Sequence, residues 1–128
     1  MTTESSDSPG CVLIVDRGHD ARDVLTTALE RRGVETFWAG EPRQGLSLVR
    51  QLRPAVIVWD QDSVPPQEAD GERLRSAASG EDSYLVVLGG GHAAQADSDR
   101  APVVPKPYHF GPLIRTIEQL VERAQGRS

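Results

Sequence analysis

The sequence predicts an α/β fold, a single doubly wound, five-stranded parallel sheet flanked by helices. Three observations predict it. Short, unbroken apolar runs at Val12–Val15, Ala55–Trp59 and Tyr84–Leu88 read as strands buried on both faces. Between them lie segments whose apolar residues recur at helical spacing. The links are short, so strands and helices alternate, with right-handed crossovers joining parallel strands.

The elements follow in order. After the first strand, Ala21, Val24, Leu25, Ala28 and Leu29 form one helical stripe, with Asp20 as N-cap and Gly33 as the stop. Val34–Ala39 reads as the second strand, where Phe37 and Trp38 add β preference. Glu41–Leu52 reads as the second helix, with Pro42 in its first turn and Leu46, Val49 and Leu52 facing inward. Pro54 ends it. Between Asp62 and Gly80 only Leu74, Ala77 and Ala78 can serve as apolar helix positions, so a third helix should be short. The fifth strand is the short Val103-Val104. The last helix spans Gly111–Ala124, with Leu113, Ile117, Leu120 and Val121 on one face.

Residues 89–102 open with Gly89-Gly90-Gly91 and continue with Ala, Asp, Ser, Gln and His. Such a composition cannot bury an apolar stripe. A shortened or missing fourth helix is expected there.

The chain of 128 residues fits one domain, 11–124, with a disordered tail at 1–10 and a short polar tail at 125–128. Met1–Gly10 is polar and acidic, unlike a signal peptide. No apolar run approaches the roughly 18 residues a membrane span needs. The net charge of −5 argues against a nucleic-acid surface. A lone cysteine, Cys11, excludes an intrachain disulfide and fits a cytoplasmic setting. Cys11, Trp38 and Trp59 read as packing residues, although a Trp just before Asp60 could also brace a site. His19, His92 and His109 show no metal spacing.

Three strand ends carry chemistry-bearing residues. Asp16 follows the first strand, Asp60 the third, and Lys106-Pro107 the fifth. In a parallel sheet the carboxyl ends of the strands open onto one crevice, where ligands collect. These residues, in this order and spacing, resemble the receiver domain of two-component response regulators. The match extends over Cys11–Glu122 and includes Asp20, Arg22 and Leu25 after the first strand, and Lys106-Pro107-Tyr108 after the fifth.

The resemblance implies strand order 2-1-3-4-5. It also implies a phosphoacceptor at Asp60, a Mg²⁺ held by Asp16 and Asp60, and Lys106 paired with the acceptor and then with the phosphoryl group. The implied role is phosphorelay signal transduction rather than an enzyme activity of its own. The implied partners are proteins: a histidine kinase, a downstream signalling protein, or a second copy through the last helix. Neither nucleic acid nor membrane is expected as a partner.

The sequence departs from that pattern. Arg17 stands where the family has a second acid, Gly89 where it has Thr or Ser, and Val103 where it has an aromatic. A cation beside a Mg²⁺ ligand opposes the metal. Two unit charges 4 Å apart interact by about 4 kcal/mol at an effective dielectric near 20, and a dication doubles that. Asp62 could supply a replacement ligand. Alternatively, Arg17 and Lys106 act as built-in counter-ions to Asp60. The expectation is an atypical receiver acting by protein–protein interaction, with impaired Mg²⁺-dependent phosphorylation. Two alternatives stand beside it: a working phosphoacceptor at Asp60, and a small-molecule or nucleotide binder using the glycine-rich loop. No Walker-type lysine and serine support the last of these.

Overall fold

A computed structural model describes residues 10–18, 20–60, 62, 76, 83–89, 103–104 and 109–125. The strands are β1 (Val12–Val15), β2 (Thr36–Ala39), β3 (Val56–Asp60), β4 (Tyr84–Leu88) and β5 (Val103–Val104). The helices are α1 (Asp20–Arg31), α2 (Pro42–Leu52) and α3 (Phe110–Gln125). The five strands form one sheet in the order β2-β1-β3-β4-β5, and all four ladders are parallel. The predicted sheet and strand order are therefore observed. The expected fourth helix falls at residues 90–102, outside the described residues, as does most of the expected third.

Every residue of β1, β3 and β4 is buried, which explains their unbroken apolar character. β2 lies at the sheet edge and is only half-buried until Ala39. It is shorter than the predicted Val34–Ala39, because Val34 is used by the turn after α1, while the Glu35 carbonyl already accepts the Val12 N–H at 2.9 Å. Gly33 takes φ +82°, donates to the Glu30 carbonyl, and lets Val34 N–H reach the Leu29 carbonyl at 2.9 Å. This paired closure of a helix end requires a left-handed residue, the role glycine fills most easily.

Successive strand residues face opposite sides of the sheet, so two cores form. On one side Val12, Ile14, Val56, Val58 and Val86 pack with Leu25 and Leu29 of α1 and Leu113, Ile117 and Leu120 of α3. On the other, Leu13, Val15, Ile57, Trp59, Leu85 and Val87 pack with Val49 of α2. Full burial of one such aliphatic side chain contributes about 1.5–3 kcal/mol.

The helix stripes need small corrections. Val24 is exposed, because the buried line of α1 runs through Leu25 and Leu29. Asp20 is the first helical residue rather than the cap. α3 also buries Ile114 and extends one residue beyond each predicted end. α2 buries Pro42 and Gly45 beside Leu46 and Val49, while Leu52 is half-buried. Its end is set by Arg53, a left-handed residue whose N–H donates to the Val49 carbonyl just before Pro54. Arg32 of the α1 end joins Glu118 of α3 at 3.1 Å. That pair is half-exposed and contributes no more than about 1 kcal/mol.

Candidate functional site at the strand ends

The sheet register aligns the residues of interest. Val15 pairs with Trp59, and Asp60 pairs with Leu88, which in turn pairs with Val104. Asp16 and Asp60 thus leave neighbouring strands at the same level. Gly89 is one step further along its own strand.

Both aspartates are 5 % exposed. A buried carboxylate is costly unless hydrogen-bonded. The two solve this in the same way. Asp16 Oδ1 accepts the Gly18 N–H at 2.8 Å, and Asp60 Oδ1 accepts the Asp62 N–H at 3.0 Å. Each side chain bonds the backbone two residues on and turns the chain off the strand. Further interactions engage both aspartates. The Asp16 backbone is held as well: its N–H donates to the Ala39 carbonyl at 3.0 Å, extending the β1–β2 ladder. Its carbonyl accepts the Trp38 indole N–H at 2.7 Å.

Trp38, expected from the sequence as a packing residue, packs against the core and also carries a hydrogen bond to the site. The brace at this site comes from Trp38 on β2, while the Trp59 ring belongs to the core on the α2 side of the sheet. Arg22 of α1 lies over the Trp38 ring, 4.5 Å from its centroid. The signal was available in principle: β2 neighbours β1 in a 2-1-3 sheet, so a Trp near its carboxyl end comes close to Asp16.

Arg17, directly after Asp16, is exposed and engaged in interactions of its own. Asp62 is exposed as a whole, yet its carboxylate sits against Gly89. A Cβ at position 89 would lie 2.7 Å from Asp62 Cγ and 3.0 Å from Oδ1, and closer still to Oδ2. Gly89 also has φ +82°, a conformation that penalises any side chain. Its N–H donates to the Val104 carbonyl at 2.9 Å. That N–H is therefore committed to the β4–β5 junction. Val103 pairs with Val87 in β5. Lys106 lies outside the described residues, as do His19 and His92; His109 is exposed.

A Mg²⁺ ion requires near-octahedral oxygen ligands from converging groups. Among the described residues, no group of three or more His, Cys, Asp or Glu side chains converges in that way. Asp16 and Asp60 come together; the Asp62 carboxylate is seated at Gly89. Cys11, at the opposite end of β1, is fully buried. Burial, aided by the charge of Glu35, pushes its thiol up to about 11.

No protein-family model matches the sequence, and no curated protein matches it. Solved structures do match. A response regulator receiver domain protein from Clostridium thermocellum has a TM-score of 0.73 at 20% identity, covering 92% of this chain and 98% of that one. A CheY-like receiver domain protein from Methanospirillum hungatei has a TM-score of 0.71 at 21% identity, covering 94% of this chain and 100% of that one. The beryllofluoride-activated NtrC4 receiver domain dimer has a TM-score of 0.68 at 21% identity, covering 90% and 98%. The chain has the fold of the response regulator receiver domains. Among the described residues, no helix is long and apolar enough to cross a membrane.

Proposed function

We propose that this chain is a signalling module of the receiver type that works by binding a protein partner, with Mg²⁺-dependent phosphorylation of Asp60 impaired. The observation that carries this reading is the contact between Asp62 and Gly89. Position 89 is glycine and offers no hydroxyl to an incoming anion, and the Asp62 carboxylate occupies the space that a side chain there would need. Arg17 supports the same reading, as a cation next to the buried Asp16. The partner surface would be α3, β5 and the 89–102 segment. The partner would be a histidine kinase, a downstream signalling protein or a second copy of the chain.

The alternative is a working phosphoacceptor at Asp60. The level placement of Asp16 and Asp60 on neighbouring strand ends favours it. An amide NMR titration with Mg²⁺ and then beryllofluoride separates the two, using wild type, Arg17→Asp and Asp60→Ala. The impaired receiver predicts a silent wild type and an Arg17→Asp variant that shifts around Asp16 and Asp60. A wild type that shifts at millimolar Mg²⁺ and again with beryllofluoride, with both responses abolished in Asp60→Ala, would establish the alternative.

A further inference from the structure

We propose that the chain pairs with a second copy of itself through the outer edge of β2, joining two sheets antiparallel into one continuous sheet. This edge is the one remote from β5, and the inference does not rest on the reading of Asp60.

β2 ends the sheet: among the described residues, β1 alone pairs with it. The ladder to β1 fixes which backbone groups face outward. The Glu35 and Ala39 carbonyls accept the Val12 and Asp16 N–H groups at 2.9 and 3.0 Å. Alternate residues of a strand turn their N–H and C=O to opposite sides, so Thr36 and Trp38 direct theirs away from β1. An edge strand is commonly guarded by a charge or a proline. Thr36-Phe37-Trp38-Ala39 carries neither.

Strands this short offer few backbone bonds, and α1 supplies the rest of the surface. It runs beside the edge with opposite charge at its two ends. Arg22 lies 4.5 Å from the Trp38 ring centroid, by the carboxyl end of β2. Glu30 accepts the Thr36 hydroxyl at 3.2 Å, by the amino end. Thr26 and Thr27 lie between them, along a groove of about 310 Å³ between α1 and β2. Arg22 and Glu30 stand four residues either side of Thr26.

A twofold axis normal to the sheet and passing beside Phe37 reverses β2 and keeps both copies of α1 on one face. Thr36 of one copy then stands opposite Trp38 of the other, matching the outward-facing backbone groups. Phe37 meets Phe37 as a non-hydrogen-bonded pair, the kind in which side chains come closest. A register slipped by one residue would set outward-facing groups against inward-facing ones. On the α1 face the same axis sets Arg22 of each copy against Glu30 of the other, with the small Thr26 at the crossing. The charge pattern is thus complementary to itself, which selects a second copy as the occupant of this edge.

Sedimentation velocity of the full chain at low salt, over a range of concentrations, tests the pairing. Wild type should pass from monomer to dimer below about 1 mM. Arg22→Glu sets acid against acid across the axis and should weaken dimerisation at least about tenfold; Glu30→Arg sets base against base and should do the same. The double variant Arg22→Glu/Glu30→Arg should recover dimerisation, which damaged folding could not mimic. Arg115→Glu, an exposed control on α3 with the same change in net charge, should leave it unchanged. Hydrogen exchange of wild type needs no variant to fold: the Thr36 amide should gain protection as concentration rises. A wild type still monomeric at that concentration would overturn the pairing and leave the edge to a strand from another protein. A dimer indifferent to both single reversals, or a double variant no better than the singles, would overturn it as well. Each of these results leaves the Mg²⁺ and beryllofluoride titration to decide the proposed function separately.

Discussion

The indole N–H of Trp38 donates to the backbone carbonyl of Asp16 at 2.7 Å, joining the edge strand to the turn that carries the first acid of the site. The residue after β1 is thereby fixed from the side as well as by its own side chain. Arg22 covers the outer face of the same ring, so α1, β2 and the site share one contact. Gly40 allows this arrangement, since a Cβ there would lie 2.9 Å from the Trp38 ring.

Trp38→Phe should keep the ring packing and remove the hydrogen bond. The expected loss is about 1 kcal/mol of stability by urea denaturation, the usual worth of such a bond. The variant retains only Trp59, which is 1 % exposed. Its emission should therefore be blue-shifted and resist acrylamide, whereas wild type should show a quenchable component from the half-buried Trp38.

Gly33 and Gly89 share the same φ of +82° but differ in surroundings. Nothing lies within 4 Å of a Cβ at 33, whereas the Asp62 carboxylate blocks one at 89. Gly33→Ala should cost only the left-handed strain, about 1–2 kcal/mol. Gly89→Ala should cost more, and adding Asp62→Ala should recover the excess. Equal costs at the two glycines would show that Asp62 moves aside freely.

Cys11 makes stability depend on pH in the alkaline range. Its thiol ionises near the ordinary value of 9.0 when unfolded and at about 11 when folded. Between these values the unfolded chain releases a proton that the folded chain retains. The Cys11 contribution therefore falls as pH rises from about 9 towards 11, and is constant below that window. Comparing wild type with Cys11→Ala by urea unfolding across this range should show a steeper decline for wild type. At neutral pH the folded thiol should resist alkylation until the protein unfolds.

Ser83 anchors the start of β4. Its hydroxyl donates to the Pro54 carbonyl at 2.7 Å in a buried setting. Ser83→Ala should cost about 1–2 kcal/mol, because the buried carbonyl loses this donor. A thermal melt that left Tm unchanged would mean water replaces the hydroxyl.

The strands were legible because burial on both faces leaves few residue types to choose from: Val12–Val15 and Tyr84–Leu88 are found as predicted. The edge strand was harder, since Val34 belongs to the closure around Gly33 rather than to β2. Asp16 and Asp60 could be placed because parallel strands deliver their carboxyl ends to one side. The Asp62–Gly89 contact could not. It depends on where a side chain lands after a turn, and hydrophobic periodicity says nothing about that. The packing role of Trp38 is legible, but its hydrogen bond is not, because a tryptophan's polar N–H is hidden within an apolar residue type. Lys106 lies outside the described residues, and its role remains as the resemblance implies.

The all-parallel ladder has a consequence for how this chain reaches its native state. Among the described residues no two strands are joined by a hairpin, so none of these ladders can form from neighbouring residues alone. Val12 must find Thr36 across α1, and then Val56 across α1, β2 and α2. The central pair, β1 with β3, therefore closes a long loop before its contacts reward the entropy lost. Refolding should be governed by that closure and run more slowly than in a helical protein of this length. Asp16 and Asp60 come level only once that pair has formed, so the site should appear late, with the β1–β3 ladder rather than with the helices.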